Sequence, residues 1–185
     1  MNHRLVAAVA AACLFAAVPA AAQNADSASA YLPAQAISFL PVHAAFGFYA
    51  GDYERAVGQT VTAGLGASYF SLGGDDDDKF SYSSVEAKLR YYPSGDPLNG
   101  LSFGLTAGPT FVSADDDLDG ETEPDEDITA FGIGFEIARS HLMGVERHFY
   151  YGYGAGFKRL FVVSGAESGA KLAVPTLRLS IGYAF

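Results

Sequence analysis

From residue 35 onward, apolar and polar residues alternate with a period of two, the repeat of a β-strand. The final stretch is the clearest. Leu177, Leu179, Ile181, Tyr183 and Phe185 share one face, and Thr176, Arg178, Ser180, Gly182 and Ala184 share the other. Upstream, Phe131, Ile133, Phe135 and Ile137 alternate with Gly132, Gly134 and Glu136. Leu101, Phe103, Leu105 and Ala107 alternate with Ser102, Gly104, Thr106 and Gly108. The segments around 61–69, 85–91 and 151–158 repeat the arrangement. These strands are about 10–14 residues long, against about 5–6 in most globular sheets. Their non-apolar face is mostly Gly, Ser and Thr, with a few charges. That face makes a poor water-facing surface and a good lining for a narrow barrel. A soluble sandwich also alternates, with its apolar face inward. Strand length and the small-residue face favour apolar outside and polar inside, the grammar of a transmembrane barrel.

Connection lengths set the topology. The polar, partly acidic segments 73–79, 114–127 and 164–170 alternate with shorter ones at 57–59, 93–100 and 139–148. Long connections of such barrels lie outside the cell and short ones on the periplasmic side. Counting back from a periplasmic C-terminus gives seven strands, the first near 46–56. An eighth must precede it, and 35–43 is the candidate, although Pro41 removes a ladder donor. The expectation is an all-β, eight-stranded antiparallel up-and-down transmembrane β-barrel over 35–185. The segment 23–34 would be periplasmic.

Residues 1–22 read as an export signal, with Arg4 in the n-region, an apolar run from Leu5 to Val18, a break at Pro19 and small residues at Ala20–Ala22. The run is shorter than the ~20 apolar residues a spanning helix needs. The single cysteine, Cys13, lies inside this segment. A lipoprotein site there would leave a very short apolar region, and a better cleavage site follows. The mature chain is therefore expected without thiol or disulfide.

Charge sharpens the picture. The 185 residues carry 11 Lys+Arg against 21 Asp+Glu, a net charge of −10. That balance disfavours nucleic acid as a partner, since phosphate needs a basic face. With half the residues apolar, 14 Phe and 11 Tyr, global disorder is excluded. Thirteen of the 21 acids fall in two loops, at Asp75–Asp78 and between Asp115 and Asp127. One reading is a hydrated, self-repelling loop. Another is divalent-cation binding, because Asp115-x-Asp117-x-Asp119-Gly120-x5-Glu126 matches the calcium-loop pattern. Pro124, Thr122 and the flanking strands argue against a helix–loop–helix hand, leaving weak binding of the extracellular kind. The string Asp75-Asp76-Asp77-Asp78-Lys79 looks like a processing-protease site and is read as coincidence within an acidic loop.

By parity, Glu54, Glu86, Lys88, Arg90, Glu136, Lys158 and Arg178 face inward. Paired across a narrow lumen they would fill it, and eight strands enclose a space that side chains can just fill. The competing reading is a selectivity ring in a small pore. Tyr69, Tyr91, Tyr92, Phe149, Tyr150, Tyr151, Tyr183 and Phe185 sit near strand ends, where interfacial aromatic girdles form. Ser140-His141 and Glu146-Arg147-His148 look catalytic on paper but fall in a turn, and a triad is recognised by geometry. Gly152-x-Gly154-x-Gly156 lacks nucleotide-fingerprint spacing and reads as small inward residues. No catalytic, cofactor-binding or metal residue is assigned, and no cofactor is expected.

The ending Leu177-Arg-Leu-Ser-Ile-Gly-Tyr183-Ala-Phe185 resembles the C-terminal signal of bacterial outer-membrane proteins, which assembly machinery reads. Over 35–185 the chain resembles small OmpA/OmpX-like barrels. More closely, it resembles a bacterial outer-membrane barrel family of unknown function that shares the Tyr53-Glu54-Arg55 element and the string Lys88-Leu-Arg90-Tyr91-Tyr92-Pro93. The resemblance implies a Gram-negative outer membrane, with outer-membrane lipid, lipopolysaccharide and the barrel assembly machinery as partners. A monomer is expected, with divalent cations at the acidic loops a further option. The functional expectation is a non-enzymatic barrel with a charge-plugged lumen, serving envelope integrity or surface interaction. A narrow channel and an outer-leaflet lipid-modifying enzyme are the alternatives.

Overall fold

The computed structural model describes residues 33–72, 79–115, 126–164 and 171–185. Leu32–Phe185 forms one compact unit, and residues 1–32, which include the expected export signal, lie outside the described residues. Eight strands follow in order: β1 (Gln35–Phe39), β2 (Phe48–Ala56), β3 (Val61–Leu72), β4 (Lys79–Tyr91), β5 (Gly100–Asp115), β6 (Glu126–Met143), β7 (Phe149–Ser164) and β8 (Lys171–Ala184). Each pairs antiparallel with its sequence neighbour, and β8 pairs with β1, closing the barrel.

Alternation is what closes it. Leu105, Ile133, Ile137, Phe157 and Leu177 stand exposed on the outer wall, while Ser102, Thr110, Ser140 and Ser180 are buried inside. This is the reverse of a water-soluble core. The barrel's termini meet at one end, the terminus end. There Phe185 donates its N–H to the Gln35 carbonyl at 2.8 Å, and its own carbonyl accepts from Ala34 and Gln35 at 3.1 and 2.9 Å. The short connections 57–60, 92–99 and 144–148 lie at this end; 40–47 lies at the other, the loop end, where β3, β5 and β7 stop and β4, β6 and β8 begin.

Two boundaries differ from expectation. The first strand stops at Phe39, not His43. Pro41 has no N–H to extend the ladder, and its fixed φ suits the first turn of a helix. A one-turn helix, α1 (Pro41–Ala44), takes over. The last short connection is tighter than the predicted 139–148. β6 runs on through His141 to Met143, held by pairs such as His141↔Tyr151 and Met143↔Phe149. The girdle assignment is also corrected at two positions. Tyr69, Tyr91, Phe149 and Tyr183 do face outward, but Tyr92 and Tyr150 are buried inside the barrel, at 0% and 1% exposure.

Glycine on the inner face lets neighbouring strands and long side chains approach. A Cβ on Gly108 would press into the Val85 carbonyl oxygen, and one on Gly182 into the Ile37 carbonyl oxygen. Neither backbone position can yield easily. Gly108→Ala is therefore expected to destabilise the barrel by about 1–3 kcal/mol, the usual cost of overpacking. Gly58→Ala, in open space with nothing within 4 Å, should be neutral. Urea unfolding followed by heat-shifted gel mobility compares the two, and equal midpoints would contradict the packing described here.

Candidate functional site

The barrel interior carries the chemistry. Even-numbered positions on β2, β4, β6, β7 and β8 project inward, so the period-two pattern delivers charged side chains from five strands to one space. All seven residues placed there by parity are found there: Glu54, Glu86, Lys88, Arg90, Glu136, Lys158 and Arg178. An eighth was missed. Asp52 lies two residues before Glu54, on the same face, and the parity count reaches it when carried one step further. It brings the set to four acids and four bases.

The eight charges pair in three groups. Deepest toward the terminus end, Arg90 bridges Glu54 and Glu136, with Nη2 2.9 Å from the Glu136 carboxylate. Glu54 also accepts from Thr62 Oγ1 at 2.6 Å and Tyr92 Oη at 2.7 Å. Burial, and the Glu54 carboxylate beside it, push the Tyr92 phenol up, so it stays protonated as a donor. Next, Asp52 pairs with Lys88 and with Arg178, whose Nη1 is 2.7 Å away. Nearest the loop end, Lys158 pairs with Glu86 at 2.5 Å and donates to Thr110 Oγ1 at 3.0 Å. Glycines make the room. A Cβ on Gly66 would lie 2.6 Å from both Asp52 Oδ1 and Lys88 Cε, and one on Gly132 would collide with Lys158 Cε.

Below the network an apolar layer fills the barrel. Ala36, Leu98, Tyr150 and Ala184 are buried together, with Leu142 against them. Leu98 belongs to the 92–99 connection, which folds inward. Its φ of 67° is the left-handed region, rare for leucine. That cost is offset by full burial of the side chain, worth about 1.5–3 kcal/mol. Asp96 holds the connection in place, accepting from Asn99 Nδ2 at 2.6 Å and from Arg147 Nη2 at 3.0 Å. Above the network lies a cavity of about 410 Å3, whose lining reaches Phe157 and Leu177 of the outer wall.

The fold separates Ser140 from His141 and leaves Glu146 and His148 3.4 Å apart at an exposed connection. Ser140 points inward and is buried, whereas its neighbour His141 stacks on Tyr151 with ring centroids 4.8 Å apart. His148 Nδ1 lies 2.7 Å from the Ala184 carbonyl oxygen, and its ring stacks on Tyr183 at 5.0 Å. Gly152, Gly154 and Gly156 alternate along β7 as inward positions. Among the described residues, no cluster of three His, Cys, Asp or Glu side chains is placed to hold a metal ion. The candidate calcium loop lies largely outside the described residues. Its first ligand position, Asp115, ends β5 and its last, Glu126, begins β6, so strands flank it.

No family model matches the chain, and no curated protein matches it. Two solved structures are similar. One is Ail, the attachment invasion locus protein of Yersinia pestis, with 15% identity and a TM-score of 0.53 over 84% of this chain and 100% of that one. The other is the N-terminal β-barrel domain of OprF from Pseudomonas aeruginosa, with 16% identity and a TM-score of 0.47 over 83% of this chain and 98% of that one. The fold is that of the small eight-stranded OmpA/OmpX-like barrels.

The two ends of the network should respond differently to mutation. Glu54→Ala strips Arg90, Thr62 and Tyr92 of an acceptor in the filled part of the barrel. It is expected to cost about 3–5 kcal/mol, the range for breaking a buried pair. Glu86→Ala, bordering the cavity where water can replace the carboxylate, should cost clearly less. Urea midpoints of the two variants in the same micelle test the ranking, and the reverse order would refute it.

Proposed function

We propose that this chain is an outer-membrane β-barrel, exported by residues 1–22, with 23–34 periplasmic and the long acidic loops outside the cell. Its wall is a lipid anchor, and its lumen is closed by the ion-pair network and the apolar layer beneath. The role is non-enzymatic, in envelope integrity or contact with the surroundings. One observation carries the reading: burial is inverted. Large apolar side chains cover the outer wall while Asp, Glu, Lys and Arg are buried within. In water such a wall would associate, whereas in a bilayer it is the favoured surface. Closure of the sheet pairs backbone groups around the wall, except along 171–180 of β8, which have no strand partner on the β1 side among the described residues.

The network supports a structural lumen over a selectivity ring. In the part nearest the terminus end each cation is matched by a carboxylate. The path is then blocked by Tyr92, Leu98 and Tyr150, all essentially without solvent exposure. The acidic loops carry most of the net charge and are the place for contact outside the cell, including divalent cations bridging to lipopolysaccharide.

Leu105 stands outward in the middle of β5, at 55% exposure. Leu105→Arg puts a charge into the lipid face and is expected to cost about 2–4 kcal/mol near the midplane. Leu105→Ile should be silent. Full-length protein expressed in a Gram-negative host is followed by membrane fractionation, heat-shifted mobility and intact mass. The wild type should fractionate with the outer membrane, lacking residues 1–22, and Leu105→Arg should be depleted there. Detergent-free recovery of folded wild type, with Leu105→Arg tolerated as well as Leu105→Ile, would make this a soluble barrel.

A further inference from the structure

The barrel wall has an uneven height. β1 has five residues and β2 nine, while β5 to β8 have 14 to 18. β1 pairs with β8 only from Ala36↔Ala184 to Phe39↔Ile181. Among the described residues, 171–180 of β8 have no strand partner on the β1 side. Pro175 lies in this stretch, where an edge tolerates a residue without an N–H. Leu40 and the α1 residue His43 form the cavity lining on that side, in place of a paired strand.

The cavity behind this break is divided by chemistry. Leu40, Phe48, Ala50, Leu160 and Val174 line it toward the loop end. Its floor is the upper part of the charge network. At about 410 Å3 it falls within the range of small-molecule sites. One floor residue has an unused donor. Arg178 is 93% buried, its Nη1 lies 2.7 Å from Asp52 Oδ2 and its Nε donates to Ser180 Oγ at 3.3 Å, but its buried Nη2 has no hydrogen-bond partner, and Asp52 Oδ2 beside it accepts no hydrogen bond either. His43 Nδ1, at the side of the break, is likewise buried and unpartnered. Buried guanidinium donors are normally satisfied. A ligand oxygen would satisfy Arg178 Nη2.

We propose that the cavity binds a single-chain amphiphile with an anionic head, a long-chain carboxylate, entering sideways from the bilayer between β8 and α1. The carboxylate accepts from Arg178 Nη2, and the first part of the chain lies against Phe48, Leu160 and Val174. The rest passes through the break to the outer wall, where Leu177 is 74% exposed. The proposal rests on the membrane reading above. A small polar anion, entering from the loop end, would use the floor but have no need of the apolar walls or the break.

Full-length protein, purified from membranes into lipid nanodiscs, is irradiated with a diazirine-bearing palmitic acid and the labelled peptides are mapped. The expected label falls on inward positions of β2, β7 and β8, is removed by excess palmitate and not by hexanoate, and drops at least tenfold in Ala50→Trp. Ala50 lines the cavity outside the ion-pair network. Should Ala50→Trp fail to fold, wild-type mapping with the two competitors decides alone. Label confined to outward positions overturns the proposal, as does hexanoate protecting as well as palmitate. Wild type that never shows heat-shifted mobility or membrane recovery refutes the membrane reading itself, whereas folded, inserted protein without protected inward label refutes only the cavity site.

Discussion

The structure depends on carboxylates and cations neutralising one another inside a closed sheet. An eight-stranded barrel has little interior volume, and any charge in it is largely removed from bulk water. Four acids and four bases satisfy this constraint only because they interlock. Arg90 takes two carboxylates, Asp52 takes two cations, and Lys158 takes Glu86 and a threonine hydroxyl. The glycines of β3 and β6 follow from the same constraint, since side chains there would occupy the space of Lys88 and Lys158. Composition, strand pattern and electrostatics thus point to one arrangement, as expected of a sequence that specifies a single fold.

The fold was largely legible because period-two patterning survives any change in tertiary detail. Facing and the inward position of Arg178 follow from parity, and strand number from the connection lengths. What the pattern could not show was where strands stop. β6 continues through Arg139–Met143 because β7 supplies partners there, a non-local fact. β1 stops at Phe39 because Pro41 begins a helix; the missing donor was visible, but not the short wall that results. Tyr92 and Tyr150 were misplaced because a tyrosine near a strand end suits an interface and a lumen equally well. Only the inward fold of the 92–99 connection, with Leu98 at positive φ, shows which space they fill.

The interior is therefore graded, from an apolar layer at the terminus end through the ion pairs to a cavity at the loop end. The site residues were mostly readable as a set, but not their connections. Alternation says that Glu54 and Arg90 face the same way; register between β2, β3 and β4 brings them together. The same register removes the adjacency that made Ser140-His141 suggestive, because consecutive strand residues face opposite sides.

Single-channel recording on the full-length protein, purified from membranes and inserted into a planar bilayer, reads whether the lumen is closed as proposed. Folding is confirmed on the same sample by heat-shifted mobility. A folded, silent barrel is the predicted result, with the network and Tyr92, Leu98 and Tyr150 acting as scaffold. Discrete, reproducible conductance steps would contradict the account and make Arg90, Lys158 and Arg178 pore-lining charges instead.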